Sequence, residues 1–402
     1  MKRRRDQSKS VSRRDLLVAG VGVGAGVATA ALTVNLGAPG PSVPAAAPEA
    51  ALEPGAGPVP SRGAHQAGLD RPATPQAHAL IIVADSDALS DQPSLLAWLA
   101  SVGEVVDTCT DIDRASPDIL PDGPGDLAVT IGIGPRLVAL VDNDLPDAGP
   151  LPPFAGDSAM HDSVVGGDVL IAVYSSDVSV LKAVGDVVLQ SLSRAHVRWS
   201  QAGARGPGSG TIVRNPLGYH DGIVVPRTDD EMVDNVWIRS GAAAGGSIAV
   251  VRRLRLAIDE FRALDGAAQD QVIGRTRVSG APLTGGNLES EADLLKKSPE
   301  GEYLTPLRSH VRAAHPTFTA SKLMLRRGYG YSNAVAADLP ADNGLLFICF
   351  QDDIGTFVKT QLRMDETDDL LSYVTPTASA SFLIPAGYDG ATPFGSRLAQ
   401  RV

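Results

Sequence analysis

From residue 80 onward, short apolar runs alternate with stretches whose apolar positions recur at helical spacing. The runs Leu80 to Ala84, Leu127 to Gly134, Val169 to Tyr174, Ser247 to Arg253, Leu345 to Gln351 and Ala380 to Ile384 predict strands. Helical spacing marks Ser94 to Val102, Val178 to Ala195, Leu256 to Leu264, Gly266 to Ile273 and Thr367 to Val374. In Val178 to Ala195, for example, Leu181, Val184, Val188, Leu189 and Leu192 share one face. The glycine-rich stretch Gln201 to Gly210 interrupts this pattern, and the layout then repeats without regular βαβ alternation. Two α+β units with antiparallel sheets are therefore expected, over 63–213 and 214–402.

The chain before residue 63 reads differently. Lys2 to Arg5 and Arg13-Arg14 are basic, Leu16 to Leu36 carries no charge, and Ala45-Ala46-Ala47 offers a small-residue cleavage site. This pattern predicts an export signal over 1–47. Ser12-Arg13-Arg14-Asp15-Leu16-Leu17 gives it a twin-arginine character, so the export machinery of that route is an expected partner. That route carries folded proteins, often with a cofactor aboard, to the periplasm or the exterior. Residues 48–62 are Pro, Ala and Gly with little else and predict a flexible linker.

Composition removes several function classes. The formal charge is −11, which disfavours nucleic acid as a partner. The two cysteines, Cys109 and Cys349, are too few for a disulfide scaffold and form no Cys-x-x-Cys motif. Iron–sulfur clusters and covalent c-type haem are excluded with that motif. Seven histidines occur, but His310 and His315 are five apart and fail the zinc spacing on one helical face. The segment Gly241 to Ser247 is glycine-rich but precedes a strand, so dinucleotide binding is rejected. The loop Gly285 to Pro299 is polar and acidic and reads as solvated surface.

Three short segments carry chemistry. Gly218-Tyr219-His220-Asp221-Gly222 is a tight turn whose glycines would let the backbone approach a flat ligand. Ser309-His310-Val311-Arg312 opens a short helix expected to stop at Pro316. Lys322 to Leu325 is strand-like and ends at Arg326, a guanidinium that needs a partner or a pocket there. Together they supply an acid, a single imidazole ligand and a cation. Peroxide cleavage on haem requires that set.

With these motifs the chain resembles the dye-decolorizing peroxidases, whose signature is Gly-x-x-Asp-Gly followed by a histidine and an arginine. The resemblance covers roughly residues 63 to 395 and includes His65-Gln66-Ala67-Gly68, Arg214-Asn215-Pro216-Leu217, Gly245 to Arg253, Ile273-Gly274-Arg275-Thr276 and Ser279 to Leu283. It implies two ferredoxin-like domains, with one non-covalent haem b in the C-terminal one. It implies His310 as the proximal iron ligand, Asp221 as the distal acid–base residue and Arg326 as the distal cation. It further implies Arg275 as a contact of a haem propionate, Gly222 at the cofactor, and Asp368 as the acid that holds His310. Hydrogen peroxide and a dye or phenolic-type reductant are the implied substrates, and self-association is common in the family. Trp98, Trp199, Trp237 and the seven tyrosines are candidate electron relays, although packing explains them as well. The exported branch includes deferrochelatase-type proteins, which makes release of iron from haem the alternative activity.

Overall fold

The computed structural model describes residues 57–141, 145, 149–335 and 341–399. The export signal and most of the linker lie outside the described residues.

The first half runs β1 (His78–Ser86), α1 (Gln92–Thr110), β2 (Ala128–Ile133), α2 (Pro135–Val141), β3 (Val169–Ser175), α3 (Val180–Gln190) and β4 (Ala195–Ala204). Helix α1 starts where a local signal says it should. The Asp91 carboxylate accepts from Ser94 N–H at 2.9 Å, and the Ser94 hydroxyl accepts from Asp91 N–H at 3.2 Å. This reciprocal cap satisfies two donors that helix geometry leaves open.

The second half begins with a small hairpin, β5 (Val213–Arg214) and β6 (His220–Asp221), followed by α4 (Asp229–Asn235). Then come β7 (Ser247–Leu256), α5 (Ile258–Ala263), α6 (Gly266–Ile273), α7 (His310–Ala313) and α8 (Pro316–Thr319). The chain continues with β8 (Leu325–Arg326), β9 (Tyr329–Asn333), β10 (Asp342–Gln351), α9 (Ile354–Thr367) and β11 (Val374–Ile384).

All named strands pair antiparallel, in the order β4-β1-β3-β2 in the first half and β9-β10-β7-β11 in the second. Each half is a ferredoxin-like sheet. Single register positions, Ile133 with Leu383 and Ala204 with Gly330, join the two sheets at both edges. With β7 also paired to β10, the main strands close into one ring, and neither sheet keeps a free edge along it.

Strand pleating then separates two cores. Alternate residues such as Ile81, Val83, Ala172, Val251, Ile348 and Phe382 fill the ring's interior. Their neighbours Ile82, Val129, Ile131 and Ile171 face outward and pack under α1 and α3 through Leu95, Leu99, Val102 and Val184. The same alternation parts two adjacent arginines. Arg327 is 1 % exposed, with its guanidinium 5.3 Å from the Tyr174 ring centre, whereas Arg326 points out of the ring.

Several expectations shift. The helix expected over 178–195 ends at Gln190, and Ala195 already starts β4. Only Trp199 and Gln201 of β4 are buried, so its alternation is faint in the sequence. The helix expected over 367–374 is a short 3-10 turn, Asp369–Tyr373, and the true helix is α9 before it. Pro316 does not merely stop a helix; it occupies the first turn of α8, where its missing N–H costs nothing. The strand expected over 322–325 reduces to Leu325 and Arg326. The loop 285–299 is not all solvated surface, since Ala292 and Leu294 are 6 % and 8 % exposed.

Candidate active site

A cavity of about 510 Å³ opens on the outer face of the second sheet. That size suits a small molecule or cofactor. Leu254 and Leu256 of β7 and Leu345 and Phe347 of β10 form its floor, with α7 and α9 opposite. His310, Asp221, Arg326 and Asp368 all line it, although they come from four separate segments.

His310 is the first residue of α7. Its Nδ1 lies 2.6 Å from Asp368 Oδ2. Asp368 follows the last turn of α9, and its side chain is fully buried. Its other oxygen accepts from Leu370 N–H at 2.9 Å, which fixes the carboxylate. The Asp368 carboxylate accepts a hydrogen bond from Nδ1–H, so the Nε2 lone pair stays open on a ring that keeps 37 % of its surface exposed. Burial pushes the imidazole pKa down, but the charge and hydrogen bond of Asp368 outweigh it and draw the pKa up. Such a partner orients a metal-ligating histidine and raises its basicity.

His315 also lines the cavity, but both of its nitrogens are engaged. Nδ1 accepts from Thr317 N–H at 3.2 Å, capping α8, and Nε2 stands 3.3 Å from Glu291. It has no lone pair to offer.

Asp221 ends the β5–β6 hairpin. Its Oδ1 accepts from Gly222 N–H at 2.6 Å and from Arg326 Nη2 at 3.0 Å. Arg326 is itself held by a bond from Nη1 to Val224 O at 3.1 Å. Burial presses the Asp221 pKa upward, but Arg326 and the Gly222 N–H reverse this and leave it below the ordinary carboxylate value. The group is therefore a carboxylate with a cation fixed against it.

The remaining expected residues fall differently. Arg275 reaches the cavity wall, yet its terminal nitrogens bond the backbone carbonyls of Gly280, Leu288 and Ser290 at 2.8, 3.1 and 2.9 Å. It anchors the loop 280–290. Gly222 is not among the described residues that line the cavity. Its φ is +78°, and a Cβ there would meet Thr211 O at 2.2 Å, so the hairpin's own backbone explains the glycine. His220, to which the sequence assigned nothing, lines the cavity with a buried Nδ1 that has no partner among the described residues. Burial, then the cations Arg214 and Arg275, hold it below its usual pKa, which favours the neutral imidazole. Trp98, Trp199 and Trp237 are all buried in the two cores, away from the cavity lining.

The donor set fits haem. One imidazole nitrogen faces the cavity, a fixed anion–cation pair lines the same cavity, and the rest of the lining is largely apolar. Among the described residues, no group of three or more metal-binding side chains competes with this single-ligand arrangement.

Comparison with known proteins agrees. A family model described as "Dyp-type peroxidase, C-terminal" matches residues 213–389, which contain all of these site residues. The chain is 33 % identical to a dye-decolorizing peroxidase of Thermobifida fusca (strain YX), over 96 % of both chains. It is 31 % identical to a deferrochelatase of Yersinia pestis bv. Antiqua (strain Nepal516), over 82 % of this chain and 81 % of that one. A crystal structure of a DyP-type peroxidase from Cellulomonas bogoriensis superposes with a TM-score of 0.78 at 31 % identity, covering 87 % of this chain and 100 % of the other. The chain belongs to the dye-decolorizing peroxidases, a family of haem-dependent oxidoreductases.

Proposed function

We propose that His310 is the proximal ligand of one non-covalent haem b, that Asp221 moves the proton of hydrogen peroxide, and that Arg326 stabilises the charge that develops on cleavage. The observation that carries this reading is the meeting, in one cavity, of an Asp368-oriented imidazole and an Asp221–Arg326 pair. Bound haem supplies the iron on which the peroxide O–O bond is cleaved and through which electrons are drawn from a reductant. Asp221 takes the proton from the near peroxide oxygen and returns it to the far one, so the departing oxygen leaves as water rather than hydroxide. Its low pKa keeps it ready as a base in mildly acidic solution. Arg326, already held by Val224 O, needs no rearrangement to stabilise the negative charge. Asp368 keeps the ligand's ring oriented throughout.

The reductant is a dye or phenolic molecule. A relative named deferrochelatase at 31 % identity supports a second reading, in which the same cavity releases iron from haem. Reconstitution with haem should give a Soret band and peroxide-dependent bleaching of an anthraquinone dye. Absence of both would sink the peroxidase assignment. Incubation with haem and no peroxide, followed by extraction, decides the second reading, which requires intact iron-free macrocycle.

Export by the twin-arginine route belongs to the same proposal. A carrier for folded proteins suits a chain whose cofactor must be seated first. Replacing Arg13 and Arg14 by lysine should leave the protein in the cytoplasm, and unchanged export would refute the route.

A further inference from the structure

The chain contains five methionines, and two of them, Met324 and Met364, line the cavity. Met324 stands two residues before Arg326 and packs against the cluster of Phe154, Val250, Cys349 and Phe357. Met364 lies on α9 one turn before Asp368, whose N–H donates to the Met364 carbonyl at 2.9 Å. Asp368 caps the helix with extended backbone, and both it and Met364 line the cavity. One thioether therefore neighbours the arginine of the Asp221–Arg326 pair, and the other neighbours the acid that orients His310. Both residues are only half-buried.

We propose that Met324 and Met364 are the residues that hydrogen peroxide converts to sulfoxide during turnover, and that their oxidation limits the enzyme's working life. The inference rests on the reading that this cavity holds the haem and receives peroxide. The step balances without a further reagent. A sulfur lone pair attacks one peroxide oxygen, the S–O bond forms as the O–O bond breaks, and the departing oxygen leaves as water after proton transfer. Sulfur is oxidised by two electrons and peroxide is reduced by two.

The other sulfurs are placed to escape. Neither cysteine lines the cavity, and burial pushes the Cys109 thiol up to about 11 and the Cys349 thiol further still. Both stay protonated and unreactive. Met232 is 9 % exposed inside the ring, and Met160 is half-buried outside the cavity lining. The chain thus contains its own controls, Met160 for peroxide in bulk solution and Met232 for the closed core. Sulfoxidation turns a flexible apolar side chain into a polar one. At Met364 that change falls one turn from the carboxylate that orients His310 and should loosen the ligand.

The test uses the full chain reconstituted with haem, read in one sample by its Soret band and, after measured turnover, by peptide mass spectrometry. One added oxygen is expected at Met324 and Met364 at several-fold higher occupancy than at Met160, with Met232 unmodified. A Met324→Leu/Met364→Leu double variant, referred to its own initial dye-oxidation rate, should complete several-fold more turnovers before the Soret band fades. Oxidation at Met160 that equals or exceeds the cavity sites, in a sample whose Soret band was present at the start, overturns this inference alone. A double variant that fades at the parental pace overturns the claim about working life. A sample that never shows the band overturns the cavity reading with it.

Discussion

On the first half of the molecule, α1 and α3 press directly onto the outer face of the sheet; on the second half, α9 stands off from the same face and a cavity of about 510 Å³ occupies the gap. The topology is the same, βαββαβ with the order 4-1-3-2, so the difference lies in side chains. Helix α1 buries Leu95, Trp98, Leu99, Val102 and Val106. Helix α9 buries only Thr356, Phe357 and Thr360, and turns Gln361, Met364 and Asp365 toward the cavity, with Asp368 just beyond its end. On the central strands, Ile82 and Ala84 of β1 lie under packed helices, whereas Arg252 and Leu254 of β7 line the opening. One copy of the fold thus gives up close packing on one face, and its site stands there. The other copy and the shared ring interior hold the scaffold.

The contrast breaks most severely at His310. His310→Ala should abolish retention of haem, read as loss of the Soret band after gel filtration, while circular dichroism of the iron-free chain stays unchanged. Next come the substitutions that touch chemistry alone. Asp221→Asn should slow the reaction with peroxide by roughly 10²–10⁴-fold, the usual yield of a placed acid–base group, with haem content intact. Arg326→Leu should slow it as well, and stopped-flow absorption checks both. If neither variant reacts more slowly, Asp221 and Arg326 are not the peroxide pair.

The third effect is a matter of scaffold. Leu95→Ala leaves a void under a packed helix and should cost about 2–5 kcal/mol of unfolding free energy, with haem affinity preserved. Leu254→Ala faces the cavity and should cost less than about 2 kcal/mol in the iron-free chain while weakening haem retention. Denaturant titration of both variants, with and without haem, sharpens the comparison. Equal costs would mean that the two faces are not packed differently.

The smallest effect is a shift in pH dependence. Asp221 has its folded pKa below the ordinary carboxylate value of about 3.9. A depressed value stabilises the fold above the unfolded pKa, and that contribution is lost as pH falls through the folded one. The acid limb of peroxide reactivity should accordingly lie below about pH 4. In Arg326→Leu the largest influence opposing burial is lost and the Gly222 N–H remains, so the limb should move to higher pH. A rate–pH profile whose acid limb does not move rules out Arg326 as the cause.

Local reading of the chain succeeded where packing is conventional. The strands β1, β2, β3, β7, β10 and β11 stand where their apolar runs lie, because each is buried on both faces or nearly so. It failed at β4, which shows the ring only two side chains, and at α9, whose inner face is polar because it borders the cavity. A helix facing a cofactor site does not carry the apolar stripe that periodicity detects. His220 escaped notice for a related reason. Its buried, unpartnered Nδ1 is a property of surroundings supplied by Arg214, Arg275 and the segment near Gly280.

The sequence by itself determined the acid, the imidazole and the cation, since Gly218-Tyr219-His220-Asp221-Gly222, Ser309-His310 and Leu325-Arg326 announce their chemistry by type and order. Its hydrophobic spacing also determined that two similar sheets would form. Only the tertiary structure decided which partners those groups have. Asp368 lies 58 residues from His310 along the chain and Arg326 lies 105 from Asp221, separations that no local pattern encodes. It also decided that the terminal nitrogens of Arg275 meet the carbonyls of its own loop while the residue lines the cavity, and that His310 rather than His315 keeps a nitrogen free. The physical reason is common to all of these. A side chain's type sets what it can do, whereas its hydrogen-bond partners and its burial set what remains available to do it.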